Sequence, residues 1–191
     1  MKVTGFNCSP RKNGNTSRMI KTVLSVLEEH GIETEFVQVG GLDMHACRAC
    51  GKCKVNLDGK CIMDDDKLNE FSAKMTSSDG IIIGSPTYFA DLTPEAKILI
   101  DRVGYSCTTK DGNPLKRKVG AAVVVARRAG TTRVFDSINH FFQIKEMIIP
   151  GSTYWNMSLS KAPGDFDEDE EGIRTMKVLG ENMAWLLKKL E

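Results

Sequence analysis

The chain has 191 residues, 41% hydrophobic and 27% charged, the make-up of an ordinary globular protein of about one domain. Its 26 basic residues nearly balance 25 acidic ones, for a formal net charge of +1, so no basic surplus points to nucleic acid or to an anionic membrane surface. No apolar run has transmembrane length, and residues 1–7 read straight into a strand rather than a secretory signal, so the expected location is the cytoplasm.

Residues 2–6 form a short strand, followed by a polar loop. Ile20, Val23, Leu24 and Leu27 then recur at helical spacing, and Gly31 ends that helix. Residues 34–39 read as a second strand, whereas residues 43–61 show neither period. Leu68, Phe71 and Met75 mark a helix over 67–75. The run Gly80-Ile81-Ile82-Ile83-Gly84 suits a strand buried on both faces. Thr93-Pro94-Glu95 starts a helix reaching about residue 103, with proline at its first position. Residues 119–126 form another buried strand, and Phe135, Ile138 and Phe142 mark the next helix. Residues 146–153 supply a fifth strand, placed at an edge because Pro150 interrupts it. Residues 165–171 read as an acidic loop, and Leu179, Met183, Leu186 and Leu190 mark the last helix.

Strands alternating with helices predict an α/β fold in a single domain over 1–191: a doubly wound, five-stranded parallel sheet with a cysteine-rich insertion (about 43–64) after strand two. Such sheets bind ligands at the carboxyl ends of their strands, so the loops after strands one, three and four are the places to look.

The first of these loops contains Ser9, Arg11, Asn13, Asn15, Thr16 and Ser17. It matches neither a dinucleotide fingerprint nor a triphosphate loop. Its hydroxyls and cations before a helix N-terminus suit one phosphate monoester; the plainer reading is a helix cap from Asn15, Thr16 or Ser17. After strand three, Pro86, Thr87, Tyr88 and Phe89 either flank a flat ring or cover the core. After strand four, Gly130 would let the backbone approach a ligand, and Arg127 either faces that ligand or is a solvated charge.

Four of the six cysteines are clustered as Cys47-x2-Cys50-x2-Cys53-x7-Cys61. Cys8 reads as a small packing residue and Cys107 as a bystander. Such a cluster in a cytoplasmic protein points to metal or redox chemistry rather than a disulfide framework. Steps of three suit a cubane core; zinc and free or redox-active thiols remain alternatives. Arg48, Lys52, Lys54 and Lys60 would offset thiolate charge, and Asp64, Asp65 and Asp66 would oppose them. His30, His45 and His140 have no motif context, and no residue is assigned as a catalytic acid or base.

The stretch Ser9-Pro10-Arg11-Lys12-x-Gly14-Asn15-Thr16-Ser17, with Ser85-Pro86-Thr87-Tyr88-Phe89, resembles the flavodoxin-like NAD(P)H-dependent FMN reductase superfamily. The likeness extends through residues 94–102, ending in an Asp-Arg pair, and 151–155. It implies that the first loop holds the FMN phosphate, that the second borders the isoalloxazine, and that Arg127 and Gly130 line its other polar edge. Arg127 and Arg128 depart from the small residues often found there. The cysteine segment resembles the iron–sulfur flavoprotein subgroup, which implies a [4Fe–4S] cluster on Cys47, Cys50, Cys53 and Cys61. The function so implied is electron passage between cluster and FMN, with a ferredoxin-like or NAD(P)H donor. The alternatives are an NAD(P)H-dependent FMN, quinone or nitro reductase without a cluster, and a zinc-pinned binding module. The resemblance also implies a homodimer or homotetramer, with residues 43–64 and 105–115 as candidate contact surfaces.

Overall fold

The two most apolar segments lie at the centre of the sheet. In the computed structural model, which describes residues 1–191, β1 (Lys2–Asn7) pairs with β2 (Glu33–Gln38) and with β3 (Gly80–Pro86). β3 pairs with β4 (Val119–Ala126), and β4 with β5 (Met157–Leu159). All pairs are parallel, in the order β2-β1-β3-β4-β5. That is the flavodoxin-like order, in which the winding reverses between β1 and β3 and opens a crevice at their carboxyl ends.

Successive side chains on each central strand enter opposite cores. Ile81 and Ile83 meet α3 (Leu68–Ser77), α4 (Pro94–Ser106) and α5 (Thr131–Ile144), while Ile82 meets α1 (Asn15–Glu29) and α6 (Glu170–Leu190). Every residue of β4 is buried. Burial on both faces is what a continuous Val/Ile/Ala run requires, and it explains why these strands were legible without alternation.

Three assignments from sequence are corrected. Residues 146–153 do not form the fifth strand: Glu146 sits at φ +56°, and only Ile148 bridges to Val119 before Pro150 ends the pairing. The chain then bulges out and returns as β5 against Val124–Ala126. The edge beside β4 is therefore filled at its two ends by separate stretches. The acidic segment is a short 3-10 turn (Asp165–Glu168) followed by the start of α6, where Asp169 caps through Gly172 N–H at 2.9 Å. The cysteine insertion contains a five-residue helix, α2 (Lys52–Asn56), too short to show a period in sequence. No helix is long and apolar enough to cross a membrane.

Candidate functional site

The loop after β1 is held by contacts from within the chain. Gln38 Nε2 donates to Ser9 O at 2.7 Å, and Thr93 Oγ1 donates to Cys8 O at 3.0 Å. Gly40 packs onto the same peptide, so closely that a β-carbon there would stand 2.2 Å from the Ser9 carbonyl carbon. Cys8 lies buried beneath, and burial pushes its thiol well above the ordinary range, which keeps it neutral and inert.

Helix α1 begins with Gly14 at its cap position and has no side-chain cap, so the simple-cap reading of Asn15, Thr16 and Ser17 does not hold. The first main-chain bond into the helix runs from Arg18 N–H to Gly14 O at 3.1 Å. The N–H groups of Asn15, Thr16 and Ser17 are thus left without main-chain acceptors, at the positive end of the helix dipole. The Ser17 hydroxyl is buried there with no hydrogen-bond partner. A buried orphan hydroxyl among free N–H groups is what a bound phosphate oxygen would satisfy.

A cleft of about 250 Å³ opens here, at the β1–β3 reversal. Ser9, Arg11, Asn15, Thr16, Pro86, Thr87, Tyr88 and Arg127 line it. Its charged walls are Arg11, Arg127 and Lys161, with no carboxylate among the lining residues. The Thr87 hydroxyl is a second buried orphan.

Asn13, Ser17, Phe89 and Gly130 are not in the cleft wall. Asn13 is exposed, and Ser17 is buried, next in sequence to the wall residue Thr16. Phe89 and Ala90, at φ +47° and +64°, are the central residues of a tight turn closed by Tyr88 N–H to Asp91 O at 2.7 Å and Asp91 N–H to Tyr88 O at 3.0 Å. That geometry usually demands Asn-Gly, and here it turns the whole Phe89 ring into solvent. Gly130 does bring backbone close to something, but to this turn: a β-carbon would lie 2.9 Å from Thr87 Cγ2 and 3.1 Å from Ala90 Cα.

Ser160 and Lys161 were missed. They follow β5, which ends at Leu159, whereas the sequence points to a fifth strand over 146–153 and so to a different exit loop. The signal existed in the rule that loops after parallel strands carry the ligand.

The cysteines form a second site. Cys47, Cys50, Cys53 and Cys61 line one cavity, together with Arg102, Tyr105 and Ser106 of α4. Ala49 and Leu57, both at positive φ near +50°, bend the loop around it. No three His, Cys, Asp or Glu side chains close on a single-ion point. Burial raises the Cys53 thiol, an effect that the neighbouring Lys54 partly offsets. The acidic run does not face the thiols: Asp64 accepts from Asn69, Asp65 pairs with His45 and Asp66 pairs with Arg102. Residues 105–115 meet the insertion directly, through Lys110 N–H to Leu57 O at 3.1 Å and an Asp58–Thr109 bridge.

The family described as NADPH-dependent FMN reductase matches residues 1–162. An iron–sulfur flavoprotein of Methanocaldococcus jannaschii is 37% identical over 198 residues, covering 100% of both chains. The chain belongs to the NADPH-dependent FMN reductase family, in its iron–sulfur flavoprotein subgroup. A second iron–sulfur flavoprotein, from Methanosarcina thermophila, is 32% identical over 194 residues, covering 100% of this chain and 97% of the relative. Among solved structures, RosB superposes with a TM-score of 0.80 over 100% of this chain and 80% of its own, at 17% identity, a likeness of fold. As a member of this FMN reductase family, the protein is a flavin-dependent oxidoreductase.

Proposed function

We propose that this protein binds FMN in the cleft and a [4Fe–4S] cluster in the cysteine cavity, and that it relays electrons between them from a ferredoxin-like or NAD(P)H donor. Flavins exchange hydride or single electrons, and cubane clusters exchange single electrons, so a fold holding both converts between the two currencies. The observation that carries the reading is the Ser17 hydroxyl, buried without a partner in the first turn of α1, whose N–H groups are free and whose Asn15 and Thr16 line the cleft with Arg11.

In this reading the first turn of α1, Ser17 and Arg11 bind the phosphate by charge-assisted bonds. Pro86 to Tyr88 fix the ring, and the turn at Phe89 is held rigid by Gly130 packed behind it. Arg127 and Lys161 keep the cleft positive and favour a reduced, anionic ligand. Four thiols sharing one cavity, three of them at steps of three in sequence, suit a multi-iron core. The exposed Phe89 ring offers contact to a donor or to a second copy of the chain, in keeping with a homodimer or homotetramer.

The test is an anaerobic visible spectrum with iron, zinc and sulfide assays on fresh protein. About four irons and four sulfides beside flavin bands are expected. Cys50→Ser should lower the iron content while Cys107→Ser leaves it unchanged, because Cys107 is buried outside the cavity. Flavin without iron or sulfide after reconstitution would refute the cluster and leave a plain FMN reductase.

A further inference from the structure

Arg102 is an anomaly in α4. It follows Leu99 by three positions, on the stripe with Ala96, Leu99 and Val103 that packs into the core, and only 1% of it is exposed. A guanidinium is taken out of water only where its donors are matched. Here they are shared between two tasks. Nη1 pairs with Asp66, whose side chain is fully buried, and donates to His45 O at 2.9 Å. Nη2 donates to Met63 O at 3.2 Å and reaches Cys61 Sγ at 3.5 Å. Asp66 in turn accepts from His45 N–H and Leu68 N–H, both at 3.0 Å. One side chain therefore ties both ends of the cysteine loop to α4.

Two polar groups remain unmatched. Arg102 Nε and the Ser106 hydroxyl are buried without partners, one helical turn apart, and both residues line the cysteine cavity. Buried orphan donors point to missing acceptors, and thiolate and sulfide sulfurs are acceptors. We propose that Arg102 is the positioning residue of the cysteine cavity: its Nη1 side locks the loop through Asp66, and its Nη2 side holds Cys61 and raises the reduction potential of the cluster there. This rests on the cluster reading above. N–H···S donation and a nearby fixed cation both favour the more negative, reduced state of a cluster. The planar fork matters, because an ammonium is a single point charge that cannot serve Asp66 and Cys61 together.

The experiment compares wild type, Arg102→Lys and the charge-free pair Arg102→Met with Asp66→Asn. Each is reconstituted anaerobically, assayed for iron, sulfide and FMN, and titrated by EPR-monitored potentiometry. The double variant leaves no lone buried charge, so it keeps the test open if the single one folds poorly. The expected result is a cluster potential shifted negative in both variants, because each loses N–H donation to Cys61 while the double variant leaves the net charge as it was, with FMN binding and flavin potential unchanged. Loss of iron with FMN retained would equally support the assignment, since Cys61 would then be misplaced. Wild-type iron content and an unshifted potential in both variants would overturn it. So would loss of FMN binding in both, which would mark Arg102 as a residue of the fold at large. Wild type that takes up no iron or sulfide would instead refute the cluster reading itself.

Discussion

The Asn15 side chain spans from the first turn of α1 to the loop after β5: its amide donates to Ala162 O at 2.8 Å, and its carbonyl accepts from Gly164 N–H at 2.9 Å. This pair of bonds holds the loop that carries Lys161 against the cleft. Asn15 thereby acts as a brace, with its side-chain amide already committed. Asn15→Ala should destabilise the fold by about 1–3 kcal/mol, the usual cost of orphaning buried partners, and should weaken FMN binding as Lys161 drifts. Urea denaturation and flavin titration of apoprotein measure both, and unchanged values in each would remove the brace.

Ser17→Ala should separate binding from stability. Its hydroxyl has no partner in the chain, so its removal leaves apoprotein stability unchanged or slightly improved. If it donates to a phosphate, FMN affinity should fall by roughly tenfold, the loss of about one hydrogen bond to a charged group. Fluorescence titration decides; a wild-type dissociation constant would mean that the hydroxyl faces no ligand.

At Gly40 the neighbour is backbone and cannot swing away. A β-carbon would lie 2.2 Å from Ser9 C and 2.4 Å from Ser9 O. Gly40→Ala should cost about 1–3 kcal/mol as an overpacking change and distort the first loop. Thermal melts should show the loss, and FMN affinity should drop with it. A variant as stable as wild type would show that the loop has room to move.

Glu35 is bound by Lys2 and Lys74, which hold its carboxyl below the usual carboxylate range despite partial burial. A folded-state pKa below the unfolded one gives stability that is present above about pH 4.3 and is lost as pH falls through the folded value. Glu35→Gln should therefore be less stable than wild type at pH 7, by less than about 1 kcal/mol because the pair is partly solvated. The difference should shrink as pH falls through the folded-state value. Denaturation midpoints across that range test the sign, and a gap that widens in acid would contradict it.

The elements legible in sequence are those whose information is local. β4 has the bounds expected for it because a fully apolar run fits only a strand buried on both faces. Helix α4 starts where Thr93 and Pro94 put it, with Thr93 Oγ1 accepting from Ala96 N–H at 3.2 Å. The fifth strand is not legible in sequence because Met147-Ile148-Ile149 is as apolar and β-branched as a strand, while Met157–Leu159 is too short to show a pattern. Only pairing with Val124–Ala126 makes the latter a strand. Ser9, Arg11, Thr16, Thr87 and Tyr88, singled out by their places after β1 and β3, meet in one cleft, and Lys161 joins them there from far along the chain.

By itself, the sequence determined the alternation of strands and helices, the hydroxyl-rich loop before α1 and the spacing of the four cysteines. These follow from neighbours along the chain, and periodicity and turn chemistry express them directly. Tertiary structure decided that Asn15 braces a distant loop, that Ser17 is left with an unmatched hydroxyl, and that Arg102 is buried between Asp66 and Cys61. Each of those depends on where low-dielectric surroundings strip water from a polar group and leave a particular distant partner within reach. That choice is made only when the elements pack.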